Sequence, residues 1–308
     1  ELEDLPPRIA VVGLGAIGLE LAQACARLDR RTIGFDAADR VGAIDDAEIA
    51  KVMGEIVARE FPVHLNASVG LSDAPDGIAV TWPDGSIEVD LVLAAIGRRP
   101  NLDGLGLEHL GVTLDDRGMP PVDPTTMRIA ELPVFLAGDA NGHRPLLHEA
   151  ADDGHIAGRN AVADGIRTHC RRTPLSIVFT SPQLARVGAP RSSLDPAQIA
   201  VGTFDFTRQS RARMAEIAVG LLRVYGDRRT GHLLGAEMAV PAAEHMAHLL
   251  ALAIERRLTV AEMLAMPFYH PVLEEGLRGA LRELSRELPD AGSSDLSLCE
   301  AIGHDALE

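Results

Sequence analysis

Apolar and polar positions alternate in a readable way from the first residues. Arg8 to Val12 is a short apolar run, the pattern of a buried strand, and Gly13 to Gly18 is a glycine-rich turn. Ile17, Leu21, Ala24, Cys25 and Leu28 then recur at helical spacing. Thr32 to Phe35 reads as a second strand, and Asp46 to Phe61 as an amphipathic helix with Ile49, Val52, Met53, Ile56 and Val57 on one side. Ile78–Trp82 and Ser86–Val89 flank Pro83-Asp84-Gly85, a hairpin signal. Leu91 to Ile96 is continuously apolar, as expected of a strand in a sheet covered on both faces. The sum is a βαβ, Rossmann-like dinucleotide-binding domain with an inserted β-meander, expected over residues 1–100.

Residues 101–172 are rich in Gly, Pro and Asp, with one strong strand expected at Val134–Ala137 and one helix near His148–Ala163. Past Pro174 the pattern changes. Strands are expected at Ser176–Phe179, Thr203–Phe206, Gly220–Tyr225 and Leu233–Met238. Helices follow near Ala242–Glu255, Val260–Leu264 and Val272–Leu288. This predicts an α+β domain with an antiparallel sheet over 173–289, and a flexible tail over 290–308. Met238, Met246, Leu249, Leu250, Leu252 and Ile254 give that domain more apolar side chains than one sheet-and-helix layer needs, which points to a homodimer interface.

Composition narrows the function. A net charge of −16 disfavours nucleic acid as a partner, since phosphate binding needs a basic surface. No run of eighteen apolar residues predicts a membrane span. The three cysteines, Cys25, Cys170 and Cys299, are scattered and form no closely spaced pair, which fits a reducing cytoplasm. The start lacks Met, so the chain reads as a piece of a longer protein. His245 and His248, or His148, Glu149 and His155, do not converge with metal-ligand spacing, and no metal is expected.

Chemistry concentrates in four stretches. In Gly13-Leu14-Gly15-Ala16-Ile17-Gly18, after a strand and before a helix, Gly13 permits the tight turn, Gly15 lets backbone approach a pyrophosphate, and Gly18 lets the helix pack closely. Unpaired N–H groups at the helix start then face the phosphates. Asp36, ending the second strand, would bond the adenosine ribose and repel a 2′-phosphate, favouring NAD over NADP, although Arg40 could soften that choice. Glu20 sits one turn into the helix, as a dipole partner or a functional acid. Gly97, in Ala94-Ala95-Ile96-Gly97-Arg98-Arg99-Pro100-Asn101, marks a strand exit where ligands bind in parallel sheets, or a plain loop. Gly138-Asp139 ends an apolar stretch, with Asp139 as a polyol acceptor or a turn residue. His270, before Pro271, has a carboxylate, Glu275, five residues on that can orient its ring, as in catalytic dyads, or the histidine caps a helix.

Together these stretches, in order GLGAIGLELA, AAIGRRPN, VFLAGDANG with PLLHEAADDG, and FYHPVLEEGL, resemble the pyridine nucleotide–disulfide oxidoreductases, most closely the dihydrolipoamide dehydrogenases. The resemblance implies that Gly13, Gly15, Ala16, Ile17, Gly18 and Asp36 hold NAD, with Glu20 near the nicotinamide and Gly97 near the adenosine half. It implies that 101–172 is the C-terminal part of an FAD-binding domain. There Gly138 and Asp139 would bind FAD, Asp139 through the ribitol, and the backbone at Leu147 and His148 would face the flavin. His270, oriented by Glu275, would be the thiol acid–base, acting on the partner subunit's site. The implied partners are a second copy of the chain and lipoyl domains of 2-oxo acid dehydrogenase complexes. The family's first FAD motif and redox cysteine pair are not found in this sequence, so the intact parent is expected to be the enzyme and this piece alone to be inactive. Ser210, in Gln209-Ser210-Arg211-Ala212-Arg213, stands where glycine is usual, and no function attaches to it. Two alternatives stay open: a related disulfide reductase of the glutathione, mycothione or mercuric type, and a non-catalytic NAD-binding dimeric module.

Overall fold

A computed structural model describes residues 4–289. The tail expected at 290–308, with Cys299, lies outside the described residues. The described residues divide into two compact units, one formed by residues 4–96 with 173–289 and the other by Gly97–Arg172.

In the first unit, β1 (Arg8–Val12), α1 (Ala16–Arg27), β2 (Arg31–Phe35), α2 (Ala47–Val57) and β3 (Val63–His64) lead to the meander β4 (Gly70–Ala74), β5 (Gly77–Trp82) and β6 (Gly85–Val89), and then to β7 (Leu91–Ala94). The parallel sheet runs β3-β2-β1-β7, and the meander is a separate antiparallel sheet, β4-β5-β6. Strand β1 is central, and Ile9, Ala10 and Val11 are fully buried. The expectation that Leu91–Ile96 is covered on both faces is not met. β7 is an edge strand, ends at Ala94 and is only half-buried, and Ile96 is exposed. Its apolar character serves one packed face and one pairing edge.

The same unit continues with β8 (Leu175–Val178), β9 (Gln183–Gly188), β10 (Ile199–Asp205), α4 (Ser210–Met214), β11 (Leu221–Asp227), β12 (Leu233–Val240), α5 (Ala243–Glu255), α6 (Val260–Ala265) and α7 (Glu275–Ser285), where α3 is reserved for the helix of the second unit, Leu147–Ala161. The five strands form an antiparallel sheet, β10-β11-β12-β9-β8. One core joins the sheet to α5, α6 and α7. Met238, Met246 and Leu250 are buried in it, and Leu249 and Ile254 pack against it. The apolar surplus expected to form an interface is therefore mostly spent within the chain, and only Leu252 of the six stays exposed, at 57%. Helix α7 begins at Glu275 rather than Val272, because the preceding residues form a turn held by the Glu275 side chain.

In the second unit the strand expected at Val134–Ala137 is absent. Phe135 makes one isolated bridge, to Arg128, flanked by the Ile129 N–H to Val134 O and Leu136 N–H to Met127 O bonds. Met127 and Ala130 have positive φ, at 59° and 46°, and this bends the facing segment out of any longer ladder.

Candidate functional site

The glycine turn is built by steric necessity at two positions and openness at a third. Gly13 has φ +91°, and a Cβ there would lie 2.5 Å from the Ala95 carbonyl oxygen. At Gly18 a Cβ would lie 1.7 Å from the Gly13 carbonyl oxygen. Gly15, the residue capping α1, has nothing within 4 Å of its Cβ position. Ala16 and Ile17 are exposed first residues of α1, and no side chain caps the helix start. Its first N–H groups thus face an open space that suits an anion.

Asp36 closes one side of this turn. Its carboxylate accepts from the Leu14 N–H at 2.5 Å and the Ala38 N–H at 2.8 Å. Arg40 is tied elsewhere, donating to the Asp39 carboxylate at 2.7 Å and the Asp45 carbonyl at 3.2 Å. Glu20 accepts from the Phe179 N–H at 2.7 Å, and one turn on, Gln23 brackets Ser181 through its N–H and carbonyl. The outer face of α1 is thereby fastened to the loop after β8.

Gly97 follows β7 and Ile96 with φ +101° and open space at its Cβ position. In the second unit, Gly138 (φ +74°) opens a turn whose Asp139 pairs with Arg98 at 3.1 Å. Leu147 and His148 are the exposed first residues of α3, Leu147 at 88%, and no side chain caps that helix. The sequence reading missed what holds this turn. Asp153 accepts from the Gly138 N–H at 3.1 Å and from the Asn141 amide at 2.6 Å, and Arg171 pairs with both Asp153 and Glu149. Burial pushes the Glu149 carboxyl up, but the Arg171 and Arg144 guanidinium groups outweigh it and hold it below the usual range. The available signal was an i, i+4 pair of acids on one helix face, at 149 and 153.

His270 and Glu275 come together. The imidazole Nδ1 lies 2.9 and 3.1 Å from the two Glu275 oxygens, and the Val272 N–H donates to the same carboxylate at 3.3 Å. Chiefly through the His270 hydrogen bond, and further through Val272 and the charge of Arg278, the Glu275 carboxyl is held below its ordinary range. An ionised Glu275 can only accept, so Nδ1 carries the proton and Nε2 is left as the basic nitrogen. His270 is 70% exposed, so that nitrogen is accessible.

Known proteins match along nearly the whole chain. Residues 1–154 match the pyridine nucleotide-disulphide oxidoreductase family, and residues 175–281 match its dimerisation domain. An NAD(P)H dehydrogenase (quinone) of Mycobacterium tuberculosis is 33% identical over 291 residues, 92% of this chain and 58% of that protein. A mitochondrial dihydrolipoyl dehydrogenase of Mesocricetus auratus is 32% identical over 290 residues, 90% of this chain and 60% of that protein. Among solved structures, LpdA from Mycobacterium tuberculosis aligns with a TM-score of 0.81 at 31% identity, covering 92% of this chain and 62% of LpdA. The HOCl-induced flavoprotein disulfide reductase RclA from Escherichia coli aligns at 0.81 with 26% identity, covering 91% of this chain and 66% of RclA. The chain thus spans about three-fifths of the curated relatives it matches. With these two family models matched in order along it, the chain belongs to the pyridine nucleotide-disulphide oxidoreductases.

Proposed function

We propose that the protein serves flavin-dependent oxidation of dihydrolipoamide to lipoamide with reduction of NAD⁺, and that this chain supplies the nucleotide end and the thiol acid–base of that reaction. The observation that carries the reading is the dyad, in which an ionised Glu275 holds the His270 ring with Nε2 accessible. Such a nitrogen takes a thiol proton, which matters because a thiol with an ordinary pKa of about 8.5 is mostly protonated at neutral pH. The open space at Gly15 and the Asp36 carboxylate beside it fit the pyrophosphate and ribose of NAD. With Arg40 engaged by Asp39 and Asp45, the guanidinium four residues past Asp36 is already partnered, so NADH should bind at least roughly tenfold better than NADPH in calorimetric titration, a gap of about 1.4 kcal/mol. The positive-φ turn at Gly138 and the uncapped start of α3 at Leu147 and His148 fit a flavin's polyol and ring edge, and a bound flavin would carry electrons between thiol and nucleotide. The sequence holds no closely spaced cysteine pair, so the 308-residue chain alone should not reduce NAD⁺ from dihydrolipoamide.

A second reading takes a quinone as acceptor. It is favoured by the 33% identity to a protein named NAD(P)H dehydrogenase (quinone). One experiment on the full-length parent separates the two. His270→Ala should lower thiol oxidation by roughly 10²–10⁴ and leave NADH–quinone turnover near wild type. Unchanged thiol oxidation would overturn the dyad's role, and quinone turnover far above dihydrolipoamide turnover in the wild type would favour the second reading.

A further inference from the structure

The Gln209-Ser210-Arg211-Ala212-Arg213 stretch has no part in the function described above, yet its first residue is among the few buried polar side chains. Gln209 is 2% exposed. Its carboxamide is fixed at both ends. Oε1 accepts from the Ala212 N–H at 2.6 Å, capping α4, and Nε2 donates to the Val272 carbonyl at 2.6 Å. The two partners, one donor and one acceptor, leave a single orientation for the amide.

Val272 is the residue on which the dyad's geometry turns. Its N–H donates to Glu275 Oε2 at 3.3 Å, and Glu275 holds His270 Nδ1 at 2.9 Å. The two backbone groups of one residue, its C=O bonded to a buried amide and its N–H to the carboxylate that holds the imidazole, therefore link Gln209 to Glu275 through the Val272 Cα. His270 is mostly exposed, and the turn from His270 to Glu274 lies outside any regular helix. Along that turn Leu273 packs against the core and its carbonyl accepts from the Gly276 N–H at 2.9 Å, and the Gln209 amide adds the bond to the Val272 carbonyl.

We propose that Gln209 is a positioning residue for the His270–Glu275 pair, acting through the Val272 backbone. It fixes the carboxylate that fixes the ring, and so selects the Nδ1–H tautomer that leaves Nε2 basic. This deepens, and rests on, the dyad reading above.

The test is the tautomer of His270, read from long-range ¹H–¹⁵N correlations of the purified chain at about pH 9, where an ordinary imidazole is neutral. The wild type should show Nδ1–H. Gln209→Ser keeps a side-chain oxygen able to cap α4 but cannot reach Val272. It should shift His270 toward a mixture of Nδ1–H and Nε2–H with the backbone amide spectrum otherwise retained. Gln209→Asn, one methylene shorter, provides a second variant and should do the same. Glu275→Ala is the reference for complete loss of the tautomer preference. If Glu275→Ala changes the tautomer and neither Gln209 variant does, Gln209 is only a helix cap and the proposal fails. If Glu275→Ala leaves the tautomer as in wild type, the dyad reading itself fails, and the role of Gln209 with it.

Discussion

At the scale of single residues, the glycine turn separates folding from binding. Gly18→Ala would drive a methyl into the Gly13 carbonyl oxygen, 1.7 Å away, and backbone cannot yield there without moving α1 off β1. The expected loss is more than about 3 kcal/mol, the upper range for overpacking, read as a lowered urea midpoint. Gly15→Ala meets nothing within 4 Å, so its cost should stay near the ~1 kcal/mol or less of a poorer helix cap. NAD affinity should nonetheless fall, because the methyl occupies the space offered to the pyrophosphate. A Gly15→Ala protein that bound NAD as tightly as wild type would remove this turn from the nucleotide site. Glu275 gives a pH-dependent counterpart. Its carboxyl is held low in the folded chain, chiefly by His270, so its stabilising contribution is present above the unfolded value of about 4.3 and is lost as pH falls through the folded value. The stability gap between wild type and Glu275→Gln should therefore shrink as pH falls from about 5 to about 3 in denaturant titrations. A gap that grew with acid would contradict the assigned direction.

At the scale of elements, the first unit is fastened through a buried charge cluster at the start of α2. Asp46 is fully buried, caps α2 through the Glu48 and Ile49 N–H groups, pairs with Arg223 at 2.7 Å and accepts from the Tyr225 hydroxyl at 2.8 Å. Glu237, also fully buried, accepts from the Asp45, Asp46 and Arg191 N–H groups. Burial, then the Glu237 and Asp46 carboxylates, push the Tyr225 phenol far up, so it stays a donor. Asp46→Ala leaves a guanidinium, a hydroxyl and a helix start without their partner at once, and should cost about 3–5 kcal/mol. Tyr225→Phe removes one hydrogen bond and should cost about 1–2 kcal/mol. Chemical denaturation of both variants checks the order, and an equal cost would mean that the ion pair contributes little. This cluster also shows what was legible. Periodicity exposed α2 and β11 because each buries a regular apolar face, and the glycine turn stood out because its spacing is fixed by backbone contact. Asp46, Arg223 and Glu237 lie far apart in sequence, and no local pattern announces a pairing that only the fold creates. Strand β9 was missed because Gln183 and Arg186 interrupt its apolar run, although Leu184, Ala185 and Val187 are buried. Gln209 and Asp153 escaped for the same reason as Asp46, since their partners, Val272 for one and Gly138 and Arg171 for the other, are distant in sequence.

At the scale of the whole molecule, the dimerisation match over 175–281 and the exposure of His270 point the same way. A histidine open to water on most of its surface has no walls of its own, and a second subunit would supply them. The expected contact is not the broad apolar surplus that the sequence suggested, because Met238, Met246 and Leu250 are consumed by the chain's own core. It would instead use side chains left outside that core, among which Phe179, Met214, Ile217, Leu252 on α5 and Tyr269 beside the dyad are large, apolar and exposed. Light scattering should therefore report a dimer at micromolar concentration, with an interface of roughly 2,000 Å² or more if the association is obligate. Leu252→Arg tests whether α5 takes part. Burying an unpaired guanidinium across a two-fold contact places two like charges on one interface, so the variant should shift toward monomer with its circular dichroism unchanged. If the variant remains a dimer at the same concentration, α5 is not at the contact. If the wild type is itself monomeric, the proposal that His270 works on a partner subunit's site loses its physical basis.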